Sequence, residues 1–468
     1  MLFGSLSFAL FFAVFYALYA TLRGTARNVL LLVASYVFYA TWDPRFLVLL
    51  LLTTATDYLM GLSIHHLRNR WLRRLCLIYS LSVNLGVLFF FKYFDFFADS
   101  ASRLLEWLGF AADPITLQFL LPIGISFYTF RSITYTVDIY RGQAKPTRNP
   151  LHYAIFVSFF PELIAGPIER ARRFLPQIAS ERTIEYPMVR EGAWLVLSGL
   201  FKKLVIADNM AVIANAVFDS PGEHQGLAVL LAAYAYAFQI YGDFSGYSDM
   251  ARGLARLMGF QPAENFRSPY FATSPQDFWH RWHISLSTWL RDYLYISLGG
   301  SRRGRVRTYA NLFITMLLGG LWHGAAWNFV LWGGYHGAAL IVHRLGLLLS
   351  GDPRATAERP GTRPLKILAT FHMVVFGWML FRVNQIADLP VLIRHMCVPV
   401  LSGTDWILQI ALLLWPLLVL HVLQERSADP LVVKRYPAPA RLGIYGVLFA
   451  YLLLCGKVGG YEFIYAQF

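Results

Sequence analysis

The chain is built around apolar runs that are long enough to cross a lipid bilayer. A spanning helix needs about 20 largely apolar residues, because the hydrocarbon core is about 30 Å thick. Such runs lie at 4–22, 28–42, 46–63, 75–91, 115–140, 151–168, 192–218, 225–242, 309–321, 325–349, 365–382, 405–423 and 441–458. They predict an all-α, polytopic membrane protein with about 10–12 transmembrane helices plus re-entrant or interfacial helices.

The charge balance excludes several other classes of protein. Only 15% of the residues are charged, against roughly 25% in an average soluble protein. The net charge of +14 falls in loops between apolar runs and not on a soluble basic face, so no nucleic-acid partner is expected. Cys76, Cys397 and Cys455 lie far apart and support neither a disulfide framework nor a metal site.

The positive charges predict how the chain is oriented in the membrane. Arginines and lysines follow the first, third and fifth runs, whereas the connections at 43–45 and 92–113 are poor in them. Short cytoplasmic loops are enriched in these residues, so the N-terminus is expected on the side of the membrane away from the cytoplasm. Met1-Leu2-Phe3 lacks the positive charge of a signal peptide, and the first run is therefore expected to remain as an anchor.

The sixth run, 151–168, breaks this alternation, because the basic stretch 169–190 follows it. Pro161 and the Gly166-Pro167 pair interrupt the run. These interruptions favour a broken or re-entrant segment, which is tolerated where protein or water lines it.

The chain is predicted to form a single membrane domain over residues 1–468. Its parts are the N-terminal helices 1–150, a motif-bearing core 151–349 and C-terminal helices 365–468, with one linker-like stretch at 350–364. The sequence contains no convincing internal repeat. The leucine-rich helices after residue 405 are expected to serve as scaffold.

Polar residues concentrate in the segment QIYGDFSGYSDMARG, which begins at Gln239. Ionisable residues inside membrane segments cost several kcal/mol, so their concentration needs a reason. If the segment is helical, Gln239, Asp243 and Gly246 share one face, and the candidate wall of a site also includes Ser245 and Asp249. The alternative is a solvated helix end capped by Asp243 and Ser245.

A second segment, SPQDFWHRWHISLSTWLRDYLYISLGG, mixes aromatic and charged residues over 274–300. Ser274 and Pro275 are typical of a helix start. Read as one helix, the segment places Trp279, Trp282 and His283 on one stripe. An amphipathic helix lying on the membrane surface is the simpler interpretation.

A third segment, LLGGLWHGAAWNFVLWGGYHGAALIVH, covers 317–343. Its glycines and alanines would let helices or a thin acyl chain approach the backbone. His323 lies in a run without charged residues, where desolvation should keep an imidazole neutral and able to act as a base. A lone buried histidine is often structural, and His336 and His343 have weaker claims.

A neutral histidine of this kind suits acyl transfer, in which it accepts a proton from an incoming hydroxyl or thiol. G-x-S-x-G, H-E-x-x-H and P-loop motifs are absent, so hydrolase, zinc protease and nucleotide hydrolase interpretations lack their marks.

The three segments together resemble the membrane-bound O-acyltransferase (MBOAT) family, and within it the alginate O-acetyltransferase branch. The resemblance extends over nearly the whole chain. It includes MLFGSLSFALFF, NVLLLVASYVFYATW, LPIGISFYTF, FFPELIAGPIER, GLFKKLVIADNMA, ENFRSPYFATSPQDFWHRWH, GGLWHGAAWNFVLWGGYHG and the terminal FIYAQF. One departure lies in ENFRSPYFATSPQDFWHRWH, which has His280 where relatives often have arginine.

The resemblance implies a fold around a central funnel, with His323 as the catalytic histidine and His283 as the second functional histidine. It implies acetyl-CoA as the co-substrate, with no bound cofactor. The expected partners are membrane lipid, a periplasmic SGNH-type acetyltransferase, polysaccharide secretion machinery and a polysaccharide acceptor. Candidate binding residues are Gln239, Asp243, Ser245, Asp249, Trp279, Arg281, Trp282, Arg291, Trp322, Lys202 and Lys203, of which Lys202, Lys203 and Arg281 could meet donor phosphates.

Three alternatives remain open. A D-alanyl transferase of the same family would take its acyl group from a carrier-protein thioester. A proton-coupled transporter could use Asp243, Asp249 and His323 as an ion path. Transporters often contain internal repeats, however, and this sequence has no convincing one. The third alternative is a noncatalytic scaffold of a secretion complex.

Overall fold

The computed structural model describes residues 1, 3–110, 116–117, 119–350, 361–457, 459 and 463–464. Every regular element among them is helical, as predicted. The α-helices are α1 (Leu6–Thr21), α2 (Gly24–Ala40), α3 (Pro44–His66), α4 (Arg70–Leu88), α5 (Phe94–Trp107), α6 (Ile125–Tyr140), α7 (Pro150–Ser158), α8 (Ala171–Ala179), α9 (Tyr186–Leu200), α10 (Asp208–Phe218), α11 (Leu227–Leu257), α12 (Pro275–Arg281), α13 (Ile284–Trp289), α14 (Arg305–His323), α15 (Trp327–Leu349), α16 (Arg363–Arg382), α17 (Asp388–Met396), α18 (Thr404–Ser427) and α19 (Ala438–Cys455).

Shorter helical turns join several of these helices. The π-helical turns are Phe89–Tyr93, Phe201–Ala207 and Leu290–Tyr295, and the 3₁₀ turns are Pro269–Phe271, Phe160–Glu162 and Val432–Arg435. The π-helical turn Phe201–Ala207 begins directly after α9 and ends directly before α10, so the three form one continuous helical segment.

Each apolar run contains at least part of a helix, and the protein is a multi-pass membrane protein. Six helical segments in the described ranges are long and apolar enough to cross a membrane, namely Pro44–His66, Arg70–Trp107, Leu227–Leu257, Arg363–Arg382, Thr404–Ser427 and Ala438–Cys455. The larger predicted number of spans includes shorter helices: α1, α2 and α6 have 16, 17 and 16 residues.

The chain divides into two compact units. The first comprises Met1–Gly192 and Ala251–Ala263, and the second comprises Ala193–Met250 and Glu264–Phe468. The three-part division made from sequence has other bounds and stays a prediction. Residues 351–360 of the predicted linker lie outside the described residues.

In the first unit, a buried arginine supports the predicted broken segment. Helix α7 ends at Ser158 and a 3₁₀ turn follows. The carbonyl groups in the last turn of α7 and in the segment after it therefore lack α-helical hydrogen-bond partners. Arg131 on α6 donates to the carbonyls of Phe156 at 3.1 Å and Pro167 at 3.3 Å, and to the Glu162 carboxylate at 2.9 Å. Irregular backbone at membrane depth needs internal partners of this kind, which the apolar pattern alone did not identify.

In the second unit, glycines allow α14 and α15 to pack backbone against backbone. A Cβ atom at Gly320 would collide with the Phe329 carbonyl oxygen, and one at Gly333 would collide with that of Met316. A Cβ at Gly337 would lie 3.0 Å from the Phe313 ring. These glycines therefore serve helix packing, one of the two roles that the sequence predicted for them.

Candidate active site

His323 is the last residue of α14, and aromatic rings surround it. Its side chain is buried, with 3% of the residue exposed. The ring centroids of Trp322 and Trp332 each lie 5.1 Å from the imidazole centroid, and that of Phe381 lies 5.6 Å away. Such a shell excludes water and strengthens electrostatic interactions within it.

Neighbouring backbone holds this shell in place. Asn328, in the first turn of α15, donates to the carbonyls of Phe381 and Val383, each at 3.2 Å. These bonds tie α15 to the end of α16, where Phe381 lies. The sequence drew attention to the glycines of this segment and missed Asn328, although a polar residue within an apolar run was the available signal.

His283 lies at a sharp break between α12 and α13. Its backbone adopts the left-handed conformation with φ of 43°, which is rare for a residue other than glycine. The prediction of one continuous helix over 274–300 is therefore wrong. The predicted start is confirmed, because Pro275 begins α12 and the Ser274 hydroxyl accepts from the Asp277 amide.

Asn265 explains why the helix breaks at His283. Its backbone carbonyl accepts from the Ile284 amide at 3.0 Å, and its side-chain oxygen accepts from the Ser285 hydroxyl at 2.6 Å. The same oxygen lies 3.4 Å from His283 Nδ1. A partner 18 residues earlier in the chain thus fixes the backbone turn and orients the imidazole, and no local sequence signal reveals it.

The environment of His283 keeps its imidazole neutral. The residue is fully buried, and the Phe244 ring packs edge-on against it with centroids 4.6 Å apart. Burial lowers the pKa of His283 from 6.5 to about 3, because a buried site disfavours the charged form.

The two histidines that the sequence singled out lie side by side. Their ring centroids are 6.4 Å apart, and Trp322 lies 5.8 Å from His283. A neutral imidazole at this spacing from a second one can accept a proton from a substrate held between them. Their catalytic roles stay predictions.

The polar residues of α11 are buried within the helix. Gln239, Asp243 and Ser245 are each less than 9% exposed, and α11 continues to Leu257. The alternative of a solvated, capped helix end is therefore wrong, and the predicted continuous helix is confirmed. The Gln239 side-chain oxygen is buried without a hydrogen-bond partner in the described part of the chain.

Two lysines form ion pairs with three carboxylates of α11 and its neighbour α10. Lys203 Nζ lies 2.7 Å from Asp243 and 2.9 Å from Asp208, and Lys202 Nζ lies 2.6 Å from Asp249. Buried charges need such pairing because isolated ones are costly. The ion pairs account for both lysines within the fold, and donor binding by them stays a prediction.

The chain end joins this buried network. The Ile464 amide donates to the Asp243 carboxylate at 2.7 Å. The Phe463 ring lies 4.2 Å from that of Tyr247, one helical turn from Phe244 and its contact with His283. Asp243 therefore fastens the chain end; the remainder of the predicted FIYAQF motif lies outside the described residues.

The two tryptophans among the other candidate residues are buried, whereas the two arginines form ion pairs. Trp279 and Trp282 belong to the buried aromatic cluster, with Trp279 contacting Trp332 at 5.7 Å between centroids. Arg281 pairs with Asp277 at 2.8 Å and Glu425 at 2.7 Å. Arg291 is 60% exposed and pairs with its neighbour Asp292, so it lies outside this cluster.

His336 is also buried among aromatic side chains. The Trp332 centroid lies 4.8 Å from its imidazole, so one tryptophan contacts both His323 and His336. His336, one of the two histidines with weaker predicted claims, thus lies beside the histidine pair. Its role stays a prediction.

A family comparison covers most of the region just described. The model of the membrane-bound O-acyltransferase family, MBOAT, matches residues 143–381, which include both histidines and all four helices α12–α15. The chain belongs to the MBOAT family. It is therefore an acyltransferase. The transporter and scaffold alternatives did not predict this activity.

Relatives within the MBOAT family have related activities in their names. A probable alginate O-acetylase, AlgI, of Pseudomonas aeruginosa is 47% identical over 77% of this chain and 68% of its own length. A peptidoglycan O-acetyltransferase of Helicobacter pylori is 39% identical over 76% and 71%. A teichoic acid D-alanyltransferase of Bacillus subtilis is more distant, at 29% over 55% and 68%.

Proposed function

We propose that this acyltransferase transfers an acetyl group from a cytosolic thioester, acetyl-CoA, for O-acetylation of an exported polysaccharide. The observation that carries the proposal is the buried pair of His283 and His323, with ring centroids 6.4 Å apart. The names of the O-acetylating relatives support an acetyl group and a polysaccharide acceptor.

The proposed chemistry uses His323 as a general base. Its neutral imidazole takes the proton of an acceptor hydroxyl while the hydroxyl oxygen forms a bond to the thioester carbonyl carbon. The carbon–sulfur bond then breaks, and the imidazolium returns the proton to the leaving thiolate. The products are an ester and a free thiol. Neutral His283 would hydrogen-bond to the reacting group from the other side.

The setting of the reaction is part of the proposal. We place the chain in the bacterial inner membrane with its N-terminus in the periplasm, because of the positive charges after the odd-numbered runs. The donor would enter from the cytosol. The acetyl group would leave on the periplasmic side, to an SGNH-type acetyltransferase of the secretion machinery or to the polymer itself.

The proposal is tested in cells that lack the gene and carry it on a plasmid. We expect His323→Ala to reduce the O-acetyl content of the exported polymer by about 100-fold or more, the range typical of a lost general base. His343→Ala, on α15, serves as the matched control and should leave acetylation unchanged. Equal amounts of each protein in the membrane are verified by immunoblot. Normal acetylation in His323→Ala cells would contradict the proposal.

The donor is tested separately with isolated membranes. Labelled acetyl-CoA should be consumed, with release of free CoA. Failure with acetyl-CoA combined with activity from a D-alanyl carrier protein would favour the D-alanyl branch instead.

A further inference from the structure

An open groove runs between two membrane-spanning helices of the second unit, α16 and α18. Its volume is about 490 Å³, and its exposed lining is almost entirely apolar. Ile367, Leu368 and Phe371 of α16 form one wall, Val422 of α18 forms the other, and Tyr270 contributes to the lining. A groove of this composition between lipid-facing helices suits an aliphatic chain.

Charged side chains line the groove where α16 begins and α18 ends. Glu425 accepts from Arg281 at 2.7 Å, and Arg363 pairs with the same carboxylate. Arg281 also pairs with Asp277. Arg426 lines the groove too, and its side chain makes no ion pair or hydrogen bond in the described ranges. Among the described residues that line the groove, two guanidinium groups, those of Arg363 and Arg426, face one carboxylate, that of Glu425, so this lining has one surplus positive charge.

The sequence around this end indicates that it faces the cytoplasm. Arg344, Arg363 and Lys366 flank the connection into α16. Arg426 lies in the last turn of α18, and Lys434 and Arg435 lie between α18 and α19. At the other ends of α16 and α18 there are two arginines, Arg382 at the end of α16 and Arg394 in the connection at 383–403. Basic residues concentrate on the cytoplasmic side of membrane helices, where the leaflet contains anionic lipids.

We propose that this groove binds an anionic phospholipid, with an acyl chain along the apolar walls and the phosphate beside Arg426 and Arg363. A zwitterionic lipid would fill the walls equally well, but the positive group of its headgroup would cancel the phosphate charge and leave the surplus positive charge of the site uncompensated. The occupant therefore has to provide both a chain and a net negative headgroup. The site is distinct from the histidine pair and does not depend on the proposed function.

The groove also contacts the aromatic cluster of the candidate active site. The ring of Tyr270 stacks near that of Trp282, with centroids 6.3 Å apart, and Trp282 directly precedes His283. A lipid seated against Tyr270 would therefore support the wall of the cluster from outside.

The charge requirement is tested with the purified full chain in detergent, by native mass spectrometry. The probes are phosphatidylglycerol and phosphatidylcholine with identical acyl chains. We expect phosphatidylglycerol to be retained preferentially. Arg426→Gln should weaken its retention about fivefold, the effect of one basic residue near an anionic lipid. The variant should fold, because the Arg426 side chain is exposed and makes no ion pair or hydrogen bond within the described ranges. Lys366→Gln, in the first turn of α16 but outside the groove lining, should retain the lipid normally.

The chain requirement is tested by filling the groove. Leu368 is 54% exposed and lines the groove, whereas Leu365 is 69% exposed and does not. Leu368→Trp should therefore lower retention of phosphatidylglycerol, and Leu365→Trp should not. Equal retention of the two lipids, unchanged retention in Arg426→Gln, or unchanged retention in Leu368→Trp would each overturn the proposal.

Discussion

The two histidines of the candidate active site are held in different ways. His323 ends a helix, so its position follows from the packing of α14. His283 sits in a left-handed turn that Asn265 supports by accepting three hydrogen bonds from Ile284 and Ser285. Such a conformation costs of order 1–3 kcal/mol and persists where surrounding structure enforces it. Its presence beside a second buried histidine is what we expect of a functional position.

Burial of His283 makes a prediction about stability and pH. The folded imidazole stays neutral down to a pKa of about 3, whereas the unfolded one takes up a proton below 6.5. The unfolded state therefore binds more protons in this window, and stability falls as the pH decreases through it. This residue accounts for about 2 kcal/mol of the loss between pH 7 and pH 5.

The measurement is thermal unfolding of the purified protein in detergent across that pH range. His283→Gln should unfold with a smaller dependence on pH than the wild type. The exposed His66 provides the control, since His66→Gln should leave the dependence unchanged. An equal pH dependence in His283→Gln would show that this imidazole is not kept neutral.

At the scale of elements, the contact between α14 and α15 connects packing to the site. His323 ends α14 and Trp332 lies on α15, so the separation of these helices sets the distance between the two rings. Gly333→Ala would place a methyl group against the Met316 carbonyl oxygen. We expect the helices to separate at a cost of about 1–3 kcal/mol, with reduced acyl transfer.

A second glycine on α15 provides the matched control. A Cβ atom at Gly346 would meet nothing within 4 Å. Gly346→Ala should therefore keep its activity and gain up to about 1 kcal/mol from helix propensity. Both variants are compared by thermal unfolding in detergent. Similar melting temperatures for the two would argue against close backbone packing at Gly333.

The same scale shows what could be predicted from sequence. The positions of the helices were predictable, because a membrane-spanning helix satisfies its backbone hydrogen bonds within one continuous apolar segment. The pairing of His283 with His323 was also anticipated, through motifs that resemble a family. The break at His283 was not, because Asn265 causes it from a distant part of the chain. The ion pairs of Lys203 with Asp208 and Asp243 were likewise not predicted, because Asp208 lies on another helix than Asp243.

At the scale of the whole molecule, charge and hydropathy set the topology. The predicted orientation places the start of α16 in the cytoplasm and Cys397, which is exposed, in the periplasm. Cys397 should therefore react with a membrane-impermeant maleimide in intact cells when Cys76 and Cys455 are replaced by serine. Gly361→Cys, introduced into a chain without other cysteines, should react only after the membrane is opened.

The opposite labelling pattern would reverse the orientation. The donor would then have to enter from the other side, and the basic end of the groove would face the periplasm. Labelling of both positions in intact cells would mean that the membrane had been opened, which a cytosolic marker protein reveals.

The central claim is that the buried histidine pair performs acyl transfer. The most direct measurement is the release of CoA from acetyl-CoA by the purified protein in proteoliposomes supplied with an acceptor polysaccharide. The account predicts that His323→Ala lowers this rate by about 100-fold or more while His343→Ala, folded to the same extent, keeps the wild-type rate. A His323→Ala protein that releases CoA at the wild-type rate would contradict it.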